Sequence, residues 1–261
     1  MGIAADIADD WHAALAALAW QVEAGADETI GDAPVNRYDL ATEAPKQAAR
    51  PVAATPAEQV GSDPFEVARR AAERAQTLDD LRAAITAFDL CELKKGARNT
   101  VFADGNPKAR VLILGEAPGA DEDREGRPFV GRAGQLMDKM FEAIGLSRTS
   151  PDAETALYIT NVLPWRPPGN RDPEPAEIAM MRPFVERHIA LVDPAVIVVM
   201  GNTPLDALTG TRGILRARGN WSQALGKPLL PMTHPAYLLR NPSAKREAWA
   251  DLLSLQARLR G

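Results

Sequence analysis

The second half of this chain alternates short apolar runs with helical stretches, and that alternation constrains its fold more than any other feature. The segments ARVLILGEAP, ALYITNVLP, AVIVVMGN and LLPMTHP each carry a brief apolar run that ends in a polar or glycine-containing loop. Helical patterns lie between and after them, at about 133–144, 174–190, 203–208 and 242–259. Short hydrophobic strands separated by helices predict a central, mainly parallel four-stranded sheet covered on both faces, a three-layer α/β/α fold. In such sheets ligands bind in the crevice beyond the carboxyl ends of the strands. No internal repeat stands out.

The amino-terminal part reads differently. Ile7, Trp11, Leu15, Leu18 and Val22 recur at helical spacing, one stripe of an amphipathic helix that ends near Gly25. From about Gly31 to Ser62 the sequence is rich in Ala, Pro and Thr, with no period and with prolines that interrupt any helix, which predicts a tether. Helical patterns return at about 63–76 and 78–88, the second opened by Thr77 as N-cap with Asp79 and Asp80 in its first turn. These features divide the chain into a helical extension with an Ala/Pro-rich linker, 1–77, and a catalytic domain, 78–261.

A length of 261 residues is ample for a buried core without disulfide or metal staples. The single cysteine, Cys91, excludes an internal disulfide and a cysteine-rich metal site, and three histidines leave few ways to build a zinc centre. No run of about 18 apolar residues is present, and the acidic start lacks a signal-peptide core. The expectation is a soluble, cytoplasmic monomer. A net charge of −5 argues against a nucleic-acid partner only while it is treated as an average. Residues 1–89 hold 7 Lys/Arg and 16 Asp/Glu, whereas 90–261 hold 23 and 19, and from Ala207 to Arg246 seven basic residues stand with no acidic one. Halves of opposite sign make the whole-chain charge a poor guide to partners.

Four loops at strand ends carry the chemistry. Gly115-Glu116-Ala117-Pro118-Gly119 is a tight turn whose backbone can approach a ligand while holding a carboxylate at the crevice; a strand-ending turn with a solvated glutamate fits equally. It lacks the glycine spacing of a dinucleotide fold or a P-loop. In Arg127-Pro128-Phe129-Val130-Gly131, Phe129 is either a core plug or a stacking platform for a planar ligand. Asn161 ends the strand Tyr158-Ile159-Thr160-Asn161 with a donor and an acceptor side by side, which suits the edge of a nucleobase or the anchoring of its own loop. The last loop, His234-Pro235-Ala236-Tyr237-Leu238-Leu239-Arg240-Asn241-Pro242, places a histidine at a strand end, then two leucines beside Arg240, Lys245 and Arg246. Exposed leucines among cations suit a wedge into a duplex with phosphates held nearby; a leucine pair packing the final helix is the alternative.

Together and in this order the loops resemble the uracil-DNA glycosylase superfamily, and most closely its family 4. The residues that carry the resemblance are GEAPGADEDREGRPFVGRAGQLMD, YITNVLPWRPPGNRDPEPAEI and HPAYLLRNPSAKR, within roughly 78–260. The resemblance implies hydrolysis of the bond between deoxyribose and uracil in DNA, leaving an abasic site. It implies that Phe129 stacks on the flipped uracil in a pocket lined by Gly115 and Ala117, and that Asn161 bonds the polar edge of the base. His234 donates to uracil O2 as negative charge grows there. Glu116 is the candidate that positions or activates water, or stabilises the sugar cation, although the best-known branch carries an aspartate one position later, where this chain has Ala117. Glu122 is expected to exclude the thymine methyl. Leu239 and Arg240 enter the duplex, with Lys245, Arg246 and Arg171 on phosphates.

Family 4 enzymes hold a four-iron, four-sulfur cluster on four cysteines. Here Cys91 matches the second ligand, whereas the others fall at Phe88, Trp165 and near Met181. The expectation is therefore no cluster and no metal, with these side chains filling its space as a small apolar core. One branch of the superfamily traps its product on a histidine in the loop after the asparagine. The loop PWRPPGNRDPEP has none, so turnover is expected. A broader deaminated-base glycosylase acting on hypoxanthine or xanthine, a non-catalytic lesion-binding module and a free-nucleoside hydrolase are the other functions considered.

Overall fold

The computed structural model describes residues 63–260 and, before them, Leu15 alone. The amphipathic stripe at 7–22 and the tether at 31–62 lie outside the described residues. Glu58–Gly261 forms one compact unit.

Six strands build the sheet: β1 (Ala103–Gly105), β2 (Val111–Gly115), β3 (Leu157–Asn161), β4 (Val196–Met200), β5 (Ser222–Ala224) and β6 (Lys227–Met232). Their order is β1-β3-β2-β4-β6-β5. The four strands expected from the apolar runs form the parallel centre. Two three-residue strands, β1 and β5, add antiparallel edges that the sequence reading lacked. ADG and SQA are too short and too polar to show a strand period, and only pairing with β3 and β6 defines them.

Successive side chains on a strand point to opposite faces, so each central strand, with buried side chains on both sides, feeds two cores. Leu112, Leu114, Tyr158, Ile197, Val199 and Leu229 enter one, and Val111, Ile113, Ile159, Val198, Leu230 and Met232 enter the other. The first is closed by α1 (Pro64–Arg74), α2 (Leu78–Ala87), α6 (Pro175–Val192) and α7 (Asn202–Thr209). The second is closed by α5 (Arg132–Glu142) and α10 (Lys245–Arg260). Short helices α3 (Leu93–Gly96), α4 (Ala120–Glu125), α8 (Ile214–Ala217) and α9 (Pro235–Arg240) occupy the connections.

Thr77 caps α2 as expected, in a reciprocal box in which its hydroxyl accepts from Asp80 N at 3.1 Å. Helix α1 was assigned with the extension on sequence, but Ala68 and Ala72 are buried in the first core with α6, so it is part of the compact unit. The segment after the last strand is also helical rather than an open loop. Pro235 stands at N1 of α9, where its fixed φ and missing N–H suit a helix start.

The crossover from β2 to β3 carries α5 on one face, and that from β3 to β4 carries α6 on the other. Strand order therefore reverses around β2, and the crevice between the carboxyl ends of β2 and β4 is the switch point of the sheet.

Candidate active site

Gly115 and Asn161 end β2 and β3 as register partners. Asn161 is only 8% exposed, and no hydrogen bond of its carboxamide is found among the described residues. It does not anchor its own loop, which leaves it able to read a ligand edge. A Cβ on Gly115 would stand 2.5 Å from Phe129 Cε2 and 2.8 Å from Cζ, and nearer still to Asn161 Oδ1. Glycine is required there because ring and carboxamide close on the same point. Three of the residues read from separate loops thus meet in one place.

Phe129 is buried and holds φ at +54°, a left-handed conformation that a bulky residue adopts only under constraint. Two groups constrain it. The Glu122 carboxylate accepts from Val130 N at 3.0 Å, Gly131 N at 2.9 Å and Gly119 N at 3.1 Å. Arg148 donates to the carbonyls of Pro128 at 2.9 Å and Phe129 at 2.8 Å while pairing with Asp104 at 3.0 Å and Asp138 at 2.8 Å. With its acceptors committed to backbone, Glu122 holds this loop in shape beside the stacking ring. Arg148 was missed on sequence, since nothing local to it signals partners 10 to 44 residues away.

His234 is the N-cap of α9. Its Nδ1 accepts from Ala236 N at 3.1 Å, which leaves the ring proton on Nε2. Burial, reinforced by the Arg240 cation and opposed by Glu122, holds its pKa down to about 4. At neutral pH the ring is an uncharged donor, and its centroid lies 5.5 Å from that of Phe129.

Glu116 is half-buried across the switch-point crevice. Thr203, the second residue of α7, donates its hydroxyl to Glu116 Oε2 at 2.5 Å. Burial raises the Glu116 pKa, the Thr203 bond opposes that shift, and the nearby Asp172 adds to it. Ala117, also half-buried, packs against the first core.

On the outer side, Leu238 is buried and Leu239 is 38% exposed, so the two leucines divide between core and surface. Arg240, Lys245 and Arg246 are exposed, and none of them pairs with a carboxylate among the described residues. Arg171 is partly exposed, and its guanidinium pairs with Glu177 at 2.6 and 3.0 Å, with Glu174 at 3.5 Å.

The positions corresponding to cluster ligands lie in one core. Phe88, Cys91, Trp165 and Met181 are each under 5% exposed and share the first hydrophobic cluster. Phe88 meets Phe184 edge-on at 5.4 Å, and Trp165 donates to Thr100 at 3.1 Å. Burial pushes the Cys91 thiol up, away from the thiolate a metal needs. One thiol, one thioether and two aromatic rings do not fit an iron–sulfur cluster, and among the described residues no group of three or more His, Cys, Asp or Glu is placed to hold a metal ion.

A stacking surface, an unengaged carboxamide and an uncharged imidazole donor around one crevice suit an enzyme that grips a flat, polar-edged ring and stabilises charge leaving with it. Known proteins of this kind match the chain directly. Residues 102–253 match the Uracil DNA glycosylase superfamily. The type-4 uracil-DNA glycosylase of Thermotoga maritima is 37% identical over 173 residues, covering 65% of this chain and 87% of the relative. That of Archaeoglobus fulgidus is 34% identical over 187 residues, covering 67% and 90%. A type-5 uracil-DNA glycosylase of Thermus thermophilus is 31% identical over 134 residues, covering 48% and 61%. The chain belongs to the uracil-DNA glycosylase superfamily, in its family 4.

Proposed function

We propose that the chain hydrolyses the N-glycosidic bond of uracil in DNA as a monofunctional, base-flipping repair enzyme. The convergence of Gly115, Phe129 and Asn161 on one point carries this reading, because it makes a slot for a planar base with a polar edge. Once the nucleotide leaves the stack, Phe129 covers the ring and Asn161 bonds its edge. As the C1′–N1 bond breaks, its electron pair leaves with uracil, and His234 Nε2–H donates to O2 where that charge collects. Glu116 faces the sugar, offsets the positive charge on the ring and takes a proton from the attacking water. The water oxygen then bonds C1′, and the departing uracil anion takes up a proton. Arg240, Lys245 and Arg246 neutralise phosphates while Leu239 fills the gap in the stack.

The chain works without a resident cofactor, as a monomer on uracil-containing DNA in the cytoplasm. The apolar ligand positions support the first point. Among the described residues, no helix is long and apolar enough to cross a membrane. Purified protein is expected to carry iron far below stoichiometric amounts and to keep its activity in chelator. Stoichiometric iron with visible cluster absorbance contradicts this.

The primary test is a duplex oligonucleotide with a single uracil, treated with alkali after incubation. Strand scission at the uracil is expected, and Asn161→Ala is expected to lower kcat/KM by about 10- to 100-fold, the cost of one lost hydrogen bond to the base. Folded protein that gives no scission above control rejects the reading. Duplexes with hypoxanthine or xanthine test the broader substrate range, and an SDS-stable adduct with DNA would count against turnover.

A further inference from the structure

We propose that Thr203 is a positioning residue of this reaction, fixing the Glu116 carboxylate through the hydrogen bond it donates across the crevice between β2 and β4. The inference rests on the glycosylase reading and assigns a role to the turn after β4, which none of the four loops includes.

Glu116 follows β2 and Thr203 follows β4, so the bond joins the two strand ends that flank the switch point. Thr203 is 7% exposed and its side chain is β-branched, so the hydroxyl has little freedom to turn to water. The turn that carries it is fixed at both ends. Gly201 holds φ at +107°, and its N–H donates to Met232 O at 3.2 Å. Asn202 Oδ1 accepts from Gly213 N at 3.1 Å and Ile214 N at 2.9 Å. The same turn abuts the histidine, since a Cβ on Gly201 would meet His234 Cβ at 3.7 Å.

One consequence is directional. A hydroxyl carries a single proton, and donating it to Oε2 commits that oxygen and leaves Oε1 to face sugar and water. Without the donor the carboxylate can rotate and protonates more readily. Asp172, in the loop before α6, is the charged group that bears on it.

The test compares Thr203→Val, close in shape but without the donor, with Thr203→Ser, which keeps it. On the uracil duplex, Thr203→Val is expected to lower kcat about tenfold or more, with KM within twofold of wild type. The acid side of its pH profile should move to higher pH. Thr203→Ser should recover kcat to within about threefold. In a Glu116→Gln background, Thr203→Val should lower kcat by less than twofold, because the bond has already lost its charged acceptor. Thermal melting checks the fold of each variant, and Thr203→Ala replaces Thr203→Val if the latter fails to fold.

Unchanged kcat in Thr203→Val, a serine variant as defective as the valine variant, or equal losses in both backgrounds overturns the inference while leaving uracil excision intact. So does full activity in Glu116→Gln. Absence of excision by the wild-type chain overturns this inference together with the glycosylase reading.

Discussion

His234→Ala is expected to lower kcat for uracil excision by two to three orders of magnitude, about 3–4 kcal/mol of transition-state stabilisation, with KM changed little. The donor meets a charge that exists only as the glycosidic bond breaks, so its loss falls on kcat. Because His234 also caps α9, alanine removes a structural bond as well. His234→Asn separates the two effects: asparagine is a good N-cap but does not place a ring N–H at the base. It is expected to melt close to wild type and to be nearly as slow as alanine. The pH profile gives a second check. With a pKa of about 4, His234 stays uncharged through the neutral range, so no titration near 6.5 should belong to it. In the proposed mechanism Glu116 acts as the carboxylate, and its pKa is raised, so activity should fall with decreasing pH sooner than an ordinary glutamate would dictate. A limb near 6.5 that disappears in His234→Ala would falsify the uncharged-donor mechanism.

The four central strands were legible because each carries a short buried apolar run, a pattern that survives without any tertiary information. Their carboxyl ends led directly to Glu116, Asn161 and His234. What the sequence hid was the use of side chains across long separations. Glu122 looks like a surface acid in an acidic run, yet three backbone N–H groups claim it. Arg171 looks like a phosphate ligand in a stiff basic loop, yet Glu177 holds it. Thr203 follows Gly-Asn and reads as the start of an ordinary helix; only the pairing of β2 with β4 brings it to Glu116. Charge and residue type were visible in each case, and the partner that decides the role was not.

The apolar cluster positions show how this chain joins the segments that a metal site would cross-link. Phe88 follows α2, Trp165 follows β3 and Met181 lies in α6, and all three are buried with Cys91 between the sheet and its helices. Each such side chain contributes roughly 1.5–3 kcal/mol by leaving water. Packing of this kind stabilises the same segments without thiolates. The candidate catalytic groups lie at strand ends whose positions depend on the sheet, so the filling of this core supports their placement.

Gly134→Ala is expected to be the most damaging glycine-to-alanine change among the described residues. Alanine is favoured over glycine inside a helix by about 1 kcal/mol, so propensity alone predicts a more stable α5. The site reverses that sign. A Cβ on Gly134 would stand 2.7 Å from Phe129 Cα and closer still to the carbonyl carbon and oxygen of the same residue. These are backbone atoms, and Arg148, itself held by two aspartates, fixes that carbonyl. To admit the methyl group, α5 must shift or the loop must release Arg148 and rotate Phe129 out of the left-handed conformation that aims its ring at Asn161 and His234. A destabilisation of about 3 kcal/mol is expected from forcing volume into a packed, hydrogen-bonded site, together with at least a tenfold loss in kcat/KM. Gly96→Ala is the control, since a Cβ there meets nothing within 4 Å. It should leave both melting temperature and excision rate close to wild type. If Gly134→Ala melts and excises uracil like Gly96→Ala, the stacking loop is not held by this contact, and Arg148 and Glu122 alone must account for its conformation.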